Sequence, residues 1–155
     1  MKETKSKYQK LRKKYNLPPF KQLNEEFNIS LDNKDRILQD VITHILDDIS
    51  NTIKTLESII FVNPSSSPID LYHARMLKEK KIDLFGEFKK LMSEYWKGKK
   101  AVLSTNEKIM ANFIKNFYKK WTVNFKPKIM EIYEIFEKEW NNTLPGKEPD
   151  VMYHG

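Results

Sequence analysis

Few residues in this chain have types and spacing suited to chemistry. Asp40, His44, Asp47 and Asp48 fall near one another on one helical face, a pattern that could offer ligands to a metal ion. Helical metal sites typically take a second histidine, and none stands at that spacing here. His73 near a helix start and His154 close to the C-terminus have no partner that the sequence identifies. The face therefore reads as a solvated acidic helix surface. Carboxylates also pair at Glu25–Glu26 and Asp47–Asp48 and run through Glu131, Glu134, Glu137 and Glu139. General acid–base work needs such groups in a cleft with displaced pKa values. Their spacing predicts exposed helix faces instead, with Glu134 and Lys138 as an ordinary i,i+4 pair. Ser65, Ser66 and Ser67 lie in a loop without the glycine elbow or histidine that would make one a nucleophile. The absence of cysteine excludes disulfides and thiolate zinc sites. The four glycines, Gly86, Gly98, Gly146 and Gly155, do not cluster as a phosphate-cradling loop requires. No catalytic residue, metal or cofactor is expected, and the protein reads as a non-enzyme.

The basic residues carry more information. They cluster as Lys5, Lys7, Lys10, Arg12, Lys13 and Lys14; as Lys78, Lys80 and Lys81; as Lys97, Lys99 and Lys100; and as Lys115, Lys119, Lys120, Lys126 and Lys128. Such surfaces bind polyanions by Coulomb attraction and counterion release. The three arginines, Arg12, Arg36 and Arg75, are far outnumbered by lysine. Lysine acts as a point charge, whereas arginine forks onto bases, so backbone contact is expected rather than base reading. The competing readings are a merely solvated lysine surface and, less favoured, a membrane surface. Tyr95-Trp96 beside Lys97-Gly98-Lys99-Lys100, and Tyr118-Lys119-Lys120-Trp121, interleave aromatics with lysines in a way that can clamp single-stranded RNA. The preferred expectation puts Trp96 and Trp121 in the core, with the lysines reaching outward.

The elements that position these residues are helices. The 155 residues suit one domain, large enough to bury a core without staples. The net charge of +7 is unevenly spread. Residues 1–20 hold seven basic side chains and one acid, 21–70 four and nine, 71–128 fifteen and five, and 129–155 two and six. Tyr8, Leu11 and Tyr15 give residues 3–16 a narrow apolar stripe on a basic helix, stopped by Pro18 and Pro19. Phe20, Leu23 and Phe27 mark a short second helix. With Asp32 as the expected N-cap, apolar residues from Ile37 to Ile60 follow a 3.6 period over about seven turns. Isoleucines on this helix could offer a second, exposed apolar face. Ser67 caps a helix with Pro68 at its first position, and the period slips near Lys80–Ile82. A further helix starts at Leu84 and continues past Gly98 to Leu103. Ser104-Thr105-Asn106-Glu107 matches a capping box for the next, which Pro127 is expected to break. A last helix ends at Trp140. The expected fold is all-α, an irregular helical bundle of four to five main helices plus a short N-terminal helix pair. Residues 1–142 form one helical domain, with 1–16 loosely packed, and 143–155 a flexible tail. No run of 18 apolar residues or signal region occurs, so no membrane span and a cytoplasmic location are expected.

The stretch Tyr15-Asn16-Leu17-Pro18-Pro19-Phe20-Lys21-Gln22-Leu23-Asn24-Glu25-Glu26-Phe27-Asn28-Ile29 resembles the start of a group of small uncharacterised archaeal all-helical proteins. That group shows a tyrosine, Leu-Pro, Phe-x-x-Leu-x-x-Glu-Phe-x-Ile pattern. Phe113 to Trp121, followed by a helix ending at Trp140, resembles it as well. The resemblance implies an archaeal cytoplasmic helical protein and supplies no catalytic residue. Small size, positive excess and lysine over arginine lead to the functional expectation. It is a helical binding protein docking on ribosomal RNA, ribosomal protein or other structured RNA through the clusters above. The alternative is a protein–protein adaptor or a homo-oligomeric module such as a homodimer, without nucleic acid.

Overall fold

The computed structural model describes residues 2–142. The expectations for residues 143–155 and His154 lie outside them. Among the described residues the structure is helical without strands: α1 (Lys2–Tyr15), α2 (Phe20–Phe27), α3 (Ile37–Ile60), α4 (Pro68–Glu79), α5 (Leu84–Ser104), α6 (Glu107–Lys120), a π-helical turn (Trp121–Phe125) and α7 (Lys126–Asn141). No helix among them is long and apolar enough to cross a membrane.

The buried residues of α3 are Ile37, Leu38, Val41, Ile42, Ile45, Leu46, Ile49, Ile53, Leu56 and Ile59, a stripe at helical spacing. That stripe makes α3 the hub, with α5 along most of its length and α2, α4 and α6 packed beside it. Its apolar side chains are consumed in this way, so α3 has no second apolar face. Its outward positions include Asp47, Asp48, Asn51, Lys54, Thr55, Glu57 and Ser58. The helix also starts later than Asp32 suggested. Asn33 closes a turn by accepting from the Asp35 N–H through Oδ1 and from the Arg36 N–H through its carbonyl. Arg36 then occupies the N-cap position without a side-chain bond.

Ser67 caps α4 as expected, its Oγ accepting from the Asp70 N–H at 3.1 Å with Pro68 in the first turn. Lys81 takes a left-handed φ of 55° in the break before α5, and Asp83 caps α5 at the Gly86 N–H. The expected capping box does not form, and the N-cap falls two residues later. Ser104 is still in α5 and donates its hydroxyl to the Ala101 carbonyl at 2.6 Å, so Asn106 caps α6 at the Ile109 N–H.

Pro127 does not break the chain of helices. Residues 121–125 widen into a π turn, in which the Lys126 N–H donates to the Trp121 carbonyl. In a regular α-helix the proline ring would meet the carbonyl of residue 123, four positions earlier. The extra residue in the π turn shifts that register, so α6, the π turn and α7 run continuously from 107 to 141. The inner face of this rod carries an aromatic ladder at four-residue spacing. Phe117 stacks on Phe113, Trp121 and Phe125, and Phe27 of α2 tilts against Phe117 and Trp121. α1 is seated by Tyr8, which is fully buried and donates its hydroxyl to the Pro18 carbonyl at 2.6 Å. Burial pushes that phenol well up, against the opposing pull of Arg12.

Candidate polyanion-binding surface

α6 lies between α1 and α5, touching both. The four carboxylates on these three helices are all engaged by lysines of the chain. Glu3 pairs with Lys34 at 3.2 Å and Glu87 with Lys90 at 3.5 Å. Glu107 accepts from Lys14 at 3.0 Å and from the Tyr15 hydroxyl at 2.6 Å. Those bonds, Tyr15 first, hold the Glu107 carboxyl below its usual value. Glu94, only 6 % exposed, accepts from Lys120 at 2.7 Å and Lys97 at 3.0 Å. Its burial pushes the carboxyl up, but the two lysines together outweigh it and hold the pKa below the ordinary value.

Part of the predicted contact set is therefore structural. Lys7 reaches Asp35 at 3.5 Å, and Lys14, Lys97 and Lys120 hold the acids just described. Lys126 grips Glu26 through both carboxylate oxygens, at 2.8 and 2.9 Å, and Trp121 Nε1 donates to the same residue at 3.1 Å. Lys120 and Lys126 thus clamp the two ends of the π turn, one to α5 and one to α2. Lys128 faces Glu131 at 3.5 Å. Lys97–Glu94 and Lys128–Glu131 are i,i+3 pairs, but sequence spacing could not show the others, whose partners lie on another helix or, for Asp35, in the loop before α3.

Lys5, Lys10, Arg12, Lys13, Lys78, Lys80, Lys81, Lys99, Lys100, Lys115 and Lys119 make no ion pair within 4 Å among the described residues, and neither do Lys89 and Lys108. They do not form one surface. Lys78, Lys80 and Lys81 lie at and just past the C-terminal end of α4, which packs at the Ile59–Ile60 end of α3. Lys7 and Lys10 lie over the Ile37–Leu38 end. At 1.5 Å per residue those ends are about 36 Å apart. The larger group spans α1, α6 and α5: Lys108, Asn112, Lys115 and Lys119 line one side of α6 at helical spacing, between the lysines of α1 and those of α5.

The outer ridge of α5 departs from the sequence expectation. Trp96 is not in the core; it is 61 % exposed. Phe85, Lys89, Trp96, Lys100 and Leu103 recur at intervals of four, seven, four and three, so they share one face, and all are exposed. The face that packs inward is made by Leu84, Phe88, Leu91, Glu94, Gly98 and Ala101. Gly98 lets α5 come close, since a Cβ there would stand 2.7 Å from Leu46 Cδ2 and 2.8 Å from Phe113 Cζ. Trp121, by contrast, is buried as expected. Lys89 was not among the predicted residues, although its spacing from Trp96 places it on the ridge. Its Nζ lies 5.6 Å from the Phe85 ring centre, and Lys99 Nζ lies 5.7 Å from that of Tyr95.

Two other places bring titratable side chains together. A cleft of about 640 Å³ between α5, the π turn and α7 is lined by Glu87, Glu94, Glu131, Lys90, Lys120 and Lys128. Each of its acids already holds one of its lysines, so the cleft is neutralised from within. At His44, Nε2 lies 3.4 Å from Ser30 Oγ. No group of three or more metal-ligating side chains converges anywhere among the described residues. His73 does find a partner, stacking on Phe136 and accepting from Trp140 Nε1 at 2.9 Å, which ties α4 to α7.

Compared with protein-family models, curated proteins and solved structures, the chain matches none.

Proposed function

We propose that this chain is a non-enzymatic RNA-docking protein, an irregular bundle that engages structured RNA such as that of the ribosome through lysines on α1, α5 and α6. One observation carries the reading. Every carboxylate on those three helices is already engaged inside the fold, while Lys5, Lys10, Lys13, Lys89, Lys99, Lys100, Lys108, Lys115 and Lys119 remain unpaired. Acids of the same helices thus do not compete for these lysines, and their Coulomb attraction is open to a polyanion, with Asp47 of α3 the acid that shares a small pocket with Lys99. Binding of this kind reads backbone phosphates. It weakens steeply with salt, and removing one true contact lowers the salt slope by about one.

The test is sedimentation of the tagged protein with cell lysate at low and high salt, with and without RNase. Migration with ribosomal particles that salt and RNase abolish is expected. The variant Lys99→Glu/Lys100→Glu/Lys119→Glu should stay at the top. Parent protein at the top under every condition sinks the reading.

A second reading, a protein–protein adaptor or homo-oligomer, is favoured by Leu103, 85 % exposed on α5. Light scattering decides the homo-oligomeric form, which a monomer at high concentration removes.

A further inference from the structure

We infer that the outer ridge of α5 takes an unpaired stretch of RNA, with Trp96 as the platform on which a base stacks. The inference rests on the RNA reading above and names the form of RNA that this part of the surface accepts.

The ridge runs about 27 Å from Phe85 to Leu103 at the helical rise. It carries no carboxylate of its own: Glu87 and Glu94 face the seam with α6 and the π turn, where Lys90, Lys97 and Lys120 hold them, and Asp47 of α3 borders it only at the Lys99–Leu103 end. Lys89, Lys99 and Lys100 flank Trp96 before and after it in the helix. Tyr95 holds the indole in an edge-to-face contact, with ring centres 5.4 Å apart at 85°. The indole is thereby oriented while most of it stays open to solvent. A large aromatic face fixed in place among unpaired cations is what a single strand requires: bases stack and phosphates meet lysine.

Paired RNA is a poor occupant for this ridge. Its bases already stack on one another, and only unpaired bases offer a free π-face. A docked helix is also a poor occupant, since helix recognition uses an apolar groove. Here Phe85 and Trp96 stand eleven residues apart on a convex ridge, about 16 Å, with lysine between them. Phe85 packs edge-on against Phe61 at its own end of the ridge, apart from Trp96.

The experiment uses the full chain and two fluorescent probes of equal length, an oligouridylate of about 12 nucleotides, within the usual single-strand site range, and an RNA duplex. The parent is expected to bind the single strand more tightly and with quenched tryptophan fluorescence. Trp96→Ala should weaken single-strand binding by roughly 5- to 150-fold, the size of one lost stacking contact, and leave duplex binding unchanged. Trp96→Phe should recover part of the loss and Trp96→Leu none. Because Trp96 is exposed, these variants should melt like the parent, which circular dichroism checks. Trp96→Ala that binds the single strand like the parent, or Trp96→Leu that matches Trp96→Phe, overturns the stacking inference. If Lys99→Glu/Lys100→Glu still weakens binding in that case, the RNA reading survives. Failure of both probes to bind overturns both and turns the ridge into a candidate protein-docking face.

Discussion

Glu94 offers the sharpest test of how this fold handles its charges. Its carboxylate is buried at the seam of α5 and α6, 2.7 Å from Lys120 Nζ and 3.0 Å from Lys97 Nζ, while both lysines keep about half of their side chains in water. Replacing it with alanine removes two charge-assisted bonds but leaves no buried orphan charge, because the ammonium groups rehydrate. Hydrogen bonds to charged groups contribute about 1.5–3 kcal/mol each. The half-exposed lysines bring the pair toward the lower end, so the expected loss is about 2–3 kcal/mol in a urea melt. For a chain of this size that corresponds to a fall in Tm of roughly 4–10 °C. The sign of the pH dependence follows from the lowered pKa. The unfolded chain takes up the proton first as pH falls, so the contribution is complete above the ordinary glutamate range. It fades as pH drops through the folded-state value. The gap between parent and the shape-conserving Glu94→Gln should therefore be constant near neutrality and close below about pH 4. A loss under 0.5 kcal/mol for Glu94→Ala, or a Gln gap that does not close in acid, would refute the argument. Because the change also frees Lys97 and Lys120, it should strengthen RNA binding if the proposed function is right.

Other perturbations test separate parts of the structure. Gly98→Ala gains about 1 kcal/mol of helix propensity but drives a methyl group against Leu46 and the rigid Phe113 ring, at a cost of about 1–3 kcal/mol. A net loss near 1 kcal/mol is expected in chemical denaturation, and a stabilised variant would show that α5 can move away freely. Asn106→Ala should lose about 1 kcal/mol as the cap of α6, while Ser104→Ala should change stability by less than about 0.5 kcal/mol. The reverse order would restore the capping box that the sequence suggested. Burial lowers the pKa of His73 more than Asp70 raises it, so its neutral ring stabilises the α4–α7 contact above the ordinary histidine value. Thermal melts should show stability falling as pH drops from about 6.5 through the lower folded-state value, with a shallower fall in His73→Phe. An unchanged slope in that variant would assign the pH dependence to other groups.

The chain's helical class was legible because it rests on local periodicity. The α3 stripe, the Ser67–Pro68 start of α4 and the break before α5 all follow from spacing, capping chemistry and proline, which act within a few residues. Ends were less legible where two residues compete for one role. Ser104 and Asn106 could each cap α6, and the choice fell to Asn106 because Ser104 is still inside α5. Pro127 pointed to a helix end, yet a π turn absorbed it, held by Lys120–Glu94 on one side and Lys126–Glu26 on the other.

The surface was least legible. Sequence fixes which residues are lysine, but ion pairing depends on what a neighbouring helix brings within 4 Å. Lys120 and Lys126 belong to the scaffold for that reason, and Lys97 joins them through the same Glu94 three residues before it, while Lys99, Lys100 and Lys119 remain available. Trp96 makes the same point for aromatics. A tryptophan in an amphipathic helix is by default core, yet the close approach at Gly98 turns the other face of α5 inward and leaves the indole on the outer ridge. Periodicity tells which residues share a face, and only packing between helices decides which face meets water.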